Sequence, residues 1–249
     1  MRRRIVICTV LVLFFALVFS CPVKGHYPEY TIDAVHGSAP TIDGIVNQPP
    51  HEEWNDASII AFNNTVVYLK QDGKSLYIGF FVQDGSWYPD NDIVMLGIDV
   101  NHDGGTVPKA DDIGFDVTRY EVPYERHGGG APTPPIGGWS VAVSGDGVWM
   151  AEFNITFAKI DVTPGEEKTL GIIFASTNRY AHDPPLEVTY LWPPVTSVEG
   201  NSPSNWGDLI STINWIPEFP PLIVLPLLMA LTMLAVLFPK RRTPRKLKV

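Results

Sequence analysis

The stretch GWSVAVSGDGVWMAEFNITF, from Gly138 to Phe157, carries the pattern that decides the fold. Two segments of alternating apolar and polar residues flank the sequence SGDG, which is typical of a β-hairpin. Because successive side chains of a strand point to opposite faces, the second segment separates an apolar from a polar face. The apolar face has Trp149, Ala151, Phe153, Ile155 and Phe157, and the outward face has Glu152, Asn154 and Thr156.

The same period of two recurs along the chain. SLYIGFFVQD places Leu76, Ile78, Phe80 and Val82 on one face, and a QDGK turn precedes it. TLGIIFAST is a continuous apolar run, as expected of a buried central strand. The only short helical candidate is around Phe157–Ile160. These patterns predict an all-β, antiparallel β-sandwich of jelly-roll type over residues 39–213, preceded by a linker at residues 26–38.

Two segments lack any period. Residues 121–138 are rich in Gly and Pro and are predicted to form a long loop, and a second loop near residue 180 contains a possible strand at Val188–Trp192. Long loops on a rigid sandwich are either mobile surface or a binding rim. Asn63 and Asn154 lie in sequons for N-glycosylation, whose use is left open.

Both ends of the chain have the composition of targeting segments. Three arginines precede an apolar run from Ile5 to Phe19, which predicts a secretory signal helix within residues 1–25. Cleavage near Ser20 would leave Cys21 as the first residue, and lipidation of Cys21 is an open alternative. At the other end, residues 222–238 carry no charge.

Residues 221–238 would span about 27 Å as a helix, close to the thickness of a bilayer core. A basic tail follows at residues 239–249, and positive charge stays in the cytoplasm. Residues 214–249 are therefore predicted to be a membrane anchor with the sandwich outside, at the cell surface. In this segment Pro217, Glu218 and Phe219 come first, the apolar helix second and the basic cluster last. That order resembles the PEF-CTERM tail of archaeal surface proteins. That resemblance implies an archaeosortase-type processing enzyme as a partner, and a plain anchor is the alternative.

The charge distribution narrows the classes of partner. All 27 Asp and Glu lie between the two basic ends with nine of the 18 Lys and Arg, which gives this region a formal charge of −18. Such a surface repels nucleic acid and attracts cations. Cys8 lies in the signal segment and Cys21 has no partner, so the outer domain must be stabilised by its core or by bound metal.

The segment GIDVNHDGGTVPKADDIGFDV, residues 97–117, gathers the candidate metal ligands. Asp99, Asn101 and Asp103 alternate as at the start of an EF-hand loop, and a glycine pair follows. The twelfth position is Ala110, but Asp111 and Asp112 come next and can fold back as further ligands. Calcium is the predicted cofactor, a solvated acidic turn is the alternative, and His102 is expected to face solvent.

Five segments occur in an order that resembles the family 9 carbohydrate-binding module and the wider DOMON-like superfamily. They are APTIDGIVNQPPHEEWNDA, DGKSLYIGFFVQD, NDIVMLGIDVNHDGG, WMAEFNITFAKIDVTPGEEKTLGIIFA and SPSNWGDL, within residues 39–209. The resemblance implies a β-sandwich, calcium at the loop of residues 99–112, and structural roles for Trp54 and Trp206. It also implies carbohydrate as the ligand, stacked on Trp87, with Tyr88 and Trp192 as further candidates.

The polar part of the family's sugar site is not matched. Met95 and Ala175 occupy positions where the resemblance implies a glutamate and a glutamine, and Gly200 a position of the second tryptophan. Aromatic stacking with few hydrogen bonds predicts weak, poorly oriented sugar binding.

No nucleophile or metalloprotease motif is found, and the six histidines are not at metal-ligand spacing, so no enzyme is predicted. One alternative is a calcium-stiffened spacer or adhesion unit of the cell envelope without a small-molecule ligand. Exposed aromatics on the loop rims would favour the sugar-binding hypothesis over this one. A second alternative is a haem-binding DOMON-type domain that uses Met95 or Met150 with a histidine, although both are more typical packing residues.

Overall fold

The structure is a computed structural model, and it describes residues 26–46, 52–83, 92–145, 148–180 and 186–211. The signal segment, Trp87, Tyr88, Pro217, Glu218, Phe219 and the rest of the predicted anchor lie outside the described residues. The described part contains three short 3₁₀ helices, Phe157–Ile160, Glu199–Asn201 and Pro203–Asn205, and none of its helices is long and apolar enough to span a membrane.

In the described part of the chain, thirteen strands form two sheets. In chain order they are β1 (Tyr27–Asp33), β2 (Val35–His36), β3 (Ser58–Phe62), β4 (Thr65–Gln71), β5 (Ser75–Gln83), β6 (Ile93–Asp99), β7 (Asp112–Thr118), β8 (Pro123–His127), β9 (Trp139–Ser144), β10 (Val148–Thr156), β11 (Leu170–Tyr180), β12 (Leu186–Trp192) and β13 (Gly207–Ile210).

The seven-stranded sheet has the order β1-β13-β11-β6-β7-β8, and β12 pairs with the part of β11 that β13 leaves free. The six-stranded sheet has the order β2-β4-β5-β10-β9, with β3 also paired to β4. The predicted β-sandwich is confirmed, including the hairpins β4–β5 and β9–β10 and the central position of β11. All pairings are antiparallel except β1–β13 and β2–β4, which are parallel.

The core between the sheets consists of the apolar faces that the alternation predicts. Leu76, Ile78, Phe80 and Val82 of β5 and Trp149, Ala151, Phe153 and Ile155 of β10 are all buried. The ring of Phe80 meets Phe153 at 5.7 Å in its own sheet and Phe174 of the opposite sheet at 5.9 Å, both edge to face. Such contacts join the sheets through dispersion and burial of apolar area.

The predicted linker is not a linker. Residues 27–36 form β1 and β2, and β1 pairs with β13 near the far end of the domain. The predicted loop at residues 121–138 likewise contains a strand, β8, which pairs with β7. In both places the strand is an edge, where partial exposure allows polar residues and Pro and so hides the period of two.

The outward face of β10 is covered. Glu152 is fully buried, because residues 42–46 and Trp54 lie against this face. Trp54 Nε1 donates to Glu152 Oε1 at 2.7 Å, and the backbone N–H groups of Asp43 and Gly44 donate to Oε2. The prediction that Trp54 is structural agrees with its position, whereas Glu152 is a buried acceptor and not a solvent-facing residue.

Candidate functional site

The acidic loop between β6 and β7 is folded around one carboxylate. Asp99 ends β6 and is fully buried; its Oδ2 accepts the N–H of Gly104 at 2.8 Å, and its Oδ1 accepts that of Asp103 at 3.3 Å. Gly104 and Gly105 have φ of 58° and 139°, a conformation that side chains with a Cβ rarely adopt. The glycine pair therefore permits the turn that brings the loop back over Asp99.

The loop brings three of the predicted ligands together. Carboxylate oxygens of Asp99, Asp103 and Asp111 lie within 4.8 Å of one another. Asp112, which faces Asp99 across the β6–β7 pair, is buried beside them. The Nζ of Lys109 lies 2.6 Å from Asp103 Oδ1 at the exposed side of the group. The side chain of Asn101 is exposed.

The carboxylates of the acidic loop lie close enough to disfavour one another's ionisation. Burial raises the pKa of Asp112 to about 6, with further contributions from Asp99, Asp111 and Asp103 and in spite of the hydrogen bond from Lys109 N–H. Among the described residues, no hydrogen-bond partner is found for the buried oxygens Asp111 Oδ2 and Asp112 Oδ1. Buried anionic oxygens without donors are costly, and a hard cation with oxygen ligands would remove that cost.

His102 was predicted to face solvent, but its side chain is only 26% exposed and packs against other residues. Its Nε2 lies 2.9 Å from Asp208 Oδ1, and its ring stacks on that of His26 at 3.9 Å with planes 8° apart. His26 Nε2 is 3.3 Å from Asp99 Oδ2, an ion-pair distance. The sequence gives no signal for this association, because His26 and Asp208 are 182 positions apart.

A groove of about 560 Å³ lies on the outer face of the seven-stranded sheet, next to the acidic loop. Alternate residues of adjacent strands form its floor, among them Gly97 of β6, Ile173 of β11 and Leu191 of β12. Asp112 belongs to both the groove and the acidic loop. A volume of this size suits a small ligand.

Few polar side chains line the groove, and two of them form an ion pair. Arg126 Nε donates to Asp116 Oδ2 at 2.6 Å. The carboxylate is buried, whereas the Arg126 side chain is 41% exposed. Burial raises the pKa of Asp116, and Arg126 offsets this only in part. Thr189, Ser197 and Asn201 line the opposite side.

The three residues that the sequence resemblance places at sugar-binding positions meet in this groove. Met95, Ala175 and Gly200 all line it, so the groove has an apolar side chain or no side chain where the resemblance implies polar or aromatic ones. Trp206 also lines it but is only 5% exposed, and its Nε1 donates to Gly200 O. Trp206 thus has the structural position that was predicted.

Trp192 is not among the groove's lining residues. On β12, Thr189 and Leu191 face the groove, whereas Trp192 lies on the other face against Phe174 at 5.7 Å and Tyr30 at 6.2 Å. The alternation along the strand therefore places this predicted stacking residue beneath the sheet, where it packs against the core. Met150, a haem-ligand alternative, is buried, and its sulfur accepts the N–H of Val46 at 3.4 Å.

Two groove residues, Asp116 and Arg126, were not predicted as site residues. The alternation in β7 does place Asp116 opposite the core residues Phe115 and Val117, so a charged residue on a sheet face was a detectable signal. Arg126 lies in the segment that was predicted as loop, so its pairing with Asp116 could not be anticipated.

Solved structures with the same fold were found. The chain is similar to a family 9 carbohydrate-binding module from Caldicellulosiruptor kristjanssonii, in complex with cellotriose (TM-score 0.54, 19% identity, 76% of this chain and 100% of that one) and with glucose (0.55, 18%, 77% and 100%). It is also similar to a protein from Bacteroides uniformis to which carbohydrate binding is attributed (0.50, 11%, 73% and 99%). No protein-family model and no curated protein matches the chain. At these identities the likeness establishes the fold, a carbohydrate-binding-module-like sandwich.

Proposed function

We propose that the outer-face groove binds carbohydrate without chemically changing it. The observation that carries this proposal is that Met95, Ala175 and Gly200, which the sequence resemblance assigns to sugar-binding positions, all line one groove. The structural neighbours were solved with cellotriose and glucose bound, which supports carbohydrate as the ligand class. Trp87 and Tyr88 remain the proposed stacking residues on the strength of the sequence alone.

The composition of the groove sets the kind of carbohydrate binding. An apolar floor suits the C–H faces of a sugar ring, while hydroxyl groups need donors and acceptors. The described lining offers these from Arg126, Thr189 and Asn201. With so few polar partners, affinity is expected in the micromolar to millimolar range, and selectivity is expected to depend on shape more than on hydrogen bonding.

A glycan array probed with the full-length chain, with and without calcium, tests this proposal. Binding to a defined set of glycans, weakened by removal of calcium, is the expected result, because Asp112 belongs to both the groove and the acidic loop. If the chain binds no glycan at millimolar concentration, the spacer or adhesion alternative explains the sandwich better. The exposed aromatic residue Tyr120 lies on the β7–β8 turn and is not among the residues that line the groove.

We propose calcium as the resident ion of the acidic loop. Asp99, Asp103 and Asp111 present converging oxygens, and unpartnered oxygens of Asp111 and Asp112 are buried beside them. The residues present thus fit a hard cation, to which loop carbonyls and water would add ligands. The ion would tie the end of β6 to the start of β7.

Chelation tests the calcium proposal. An ion that binds only the folded state stabilises it by about 2.7 kcal/mol at one hundred times its Kd, so EDTA should lower the melting temperature by several degrees and calcium should restore it. Asp103→Ala should remove most of this response, while Glu166→Ala, which removes an exposed acidic side chain elsewhere, should keep it. Equal melting curves in EDTA and in millimolar calcium would show that the loop is a solvated acidic turn.

We also propose that the domain is held at the outer cell surface by the apolar segment at residues 221–238. The support is the order of signal, acidic domain, charge-free segment and basic tail in the sequence. Protease added to intact cells should remove the sandwich and leave the tail, whether or not an archaeosortase-type enzyme acts on a fraction of the chains. Recovery of the whole, uncleaved chain from the cytosol would contradict this location.

A further inference from the structure

A second cluster of metal-binding side chains lies beside the acidic loop. Ligand atoms of His26, His102 and Asp208 are within 4.8 Å of one another. They come from three parts of the sandwich: the residue before β1, the β6–β7 loop and β13. Neither the proposed sugar site nor the proposed calcium site uses any of the three.

In the part of the chain that the structure describes, the buried histidine of this cluster has no hydrogen-bond partner. The side chain of His26 is 2% exposed, and neither Nδ1 nor Nε2 makes a hydrogen bond. An imidazole buried in this state costs free energy unless a ligand or water satisfies it. The space for the ring depends on Gly171, because a Cβ there would lie 2.4 Å from His26 Cε1. Strand β11 thus accommodates a ring whose Nδ1 has no partner among the described residues and whose Nε2 has only the 3.3 Å contact with Asp99 Oδ2.

We propose that His26, His102 and Asp208 bind a divalent transition metal of the zinc class. Two imidazole nitrogens and one carboxylate suit zinc, cobalt, nickel or copper, whereas calcium prefers oxygen ligands. Water would complete a four-coordinate site. Asp99, a carboxylate of the acidic loop, borders this site with its Oδ2 3.3 Å from His26 Nε2, so it can accept a hydrogen bond from the bound histidine or water.

Metal binding requires a small rearrangement that the structure defines. His102 Nε2 and Asp208 Oδ1 are 2.9 Å apart, and the metal would replace the proton that they share. Ligands of a tetrahedral zinc ion lie about 3.4 Å apart, so this pair opens by about half an ångström. Because the metal lies in the plane of each imidazole, one ring must also turn out of the stack. His102, with a side chain 26% exposed, has the freedom to do so.

The consequence is a metal link between the first strand and the centre of the domain. It would fix His26, the residue before β1, to the acidic loop and to β13, with which β1 already pairs in parallel. In a domain without a disulfide, such a link replaces a covalent constraint at the junction with the N-terminal segment.

Cobalt(II) titration of the full-length chain, made without a histidine tag and kept in excess calcium, tests the proposal. We expect one equivalent to bind with the strong visible absorption of a tetrahedral site, and zinc to displace it. His102→Ala and Asp208→Asn should each weaken binding by about tenfold or more, since loss even of outer-shell partners costs 10- to 100-fold. His36→Ala, which removes an exposed histidine of β2, should leave it unchanged.

Two results would overturn the proposal: absence of the tetrahedral cobalt spectrum from the wild-type chain, or equal binding by the His102→Ala and His36→Ala variants. The calcium response of each variant, measured on the same sample, checks that the β6–β7 loop is still folded. Retained calcium stabilisation with lost cobalt binding separates this site from the acidic loop.

Discussion

Single carboxylates show how the environment of a side chain decides its role. Asp99 and Asp112 face each other at the ends of β6 and β7, yet their pKa values shift in opposite directions. Burial opposes ionisation of Asp99, but the contact with His26 and the N–H groups of Gly104 and Asp103 outweigh it and lower its pKa. Asp112 has one such donor and three anionic neighbours, so it is the carboxylate that a bound cation would stabilise most.

The first prediction concerns Asp112→Asn. Because the pKa of Asp112 is raised from an ordinary 3.8 to about 6, the folded state binds more protons than the unfolded state, and stability in EDTA falls as pH rises across that interval. Because Asn is neutral, the variant does not have this loss. In EDTA its free energy of unfolding should exceed that of wild type by up to about 3 kcal/mol between about pH 4 and 7. In calcium the variant should be the less stable protein. Urea unfolding at a series of pH values measures both, and parallel pH profiles would contradict the assignment.

The second prediction concerns Glu125, a fully buried acceptor. Burial would raise its pKa, but donors from Lys159, Ile136 N–H, Trp139 and His127 outweigh that and lower the pKa from 4.5 to about 2. Its stabilisation is therefore complete above pH 4.5 and is lost as pH falls towards 2. Glu125→Gln should cost about 3 kcal/mol near neutral pH and flatten this acid limb, whereas Glu29→Gln on exposed β1 should change neither. An unchanged acid limb in Glu125→Gln would contradict the assignment.

At the scale of elements, the sequence predicted what depends on local periodicity and missed what depends on distant partners. The core strands β5 and β10 were predictable residue by residue, because burial on one face enforces the period of two. β1 was assigned to a linker because its parallel partner β13 lies at the other end of the domain. The burial of Glu152 beneath Trp54 and residues 42–46 was missed because these segments have no regular hydrophobic period that would indicate packing against β10.

The candidate site divides in the same way. The clustering of the Asp99, Asp103 and Asp111 carboxylates was predictable, since these residues are close in sequence. The groove was only partly predictable: the resemblance identified Met95, Ala175 and Gly200, but the pairing of Asp116 with Arg126 and the inward direction of Trp192 depend on strand register. The cluster of His26, His102 and Asp208 exists only through the tertiary fold.

The third prediction tests how tightly the groove floor is packed. A Cβ on Gly97 would lie 2.9 Å from Trp206 Cη2 and 2.9 Å from Ile173 Cγ2, so Gly97→Ala should cost about 1–3 kcal/mol by overpacking. Its cross-strand partner Gly114 provides the control, because a Cβ there would meet Arg126 Cβ at an ordinary 3.4 Å. Denaturant unfolding of the two variants should separate them; equal stabilities would show that Trp206 moves freely.

At the scale of the whole molecule, the candidate binding sites lie on the seven-stranded sheet, and the outer face of the six-stranded sheet is covered by packed side chains. The seven-stranded sheet places the groove, the acidic loop and the histidine cluster next to one another through β6, β7, β11 and β13. On the outer face of the six-stranded sheet, Trp54, Val46, Tyr77 and Met150 form a second small core. The molecule therefore has one face suited to ligands, with a strongly acidic surface that favours cations at its edge.

The central claim is that the groove is the carbohydrate site, and calorimetry with a glycan selected by the array tests it most directly. Ala175→Leu adds an aliphatic side chain to the groove floor, and Ala61→Leu adds the same group to an exposed position of β3 on the other sheet. We predict that Ala175→Leu weakens binding by about tenfold or more while Ala61→Leu leaves the Kd unchanged, with both variants folded. Equal affinity of the two variants would contradict the claim and place the ligand elsewhere on the molecule.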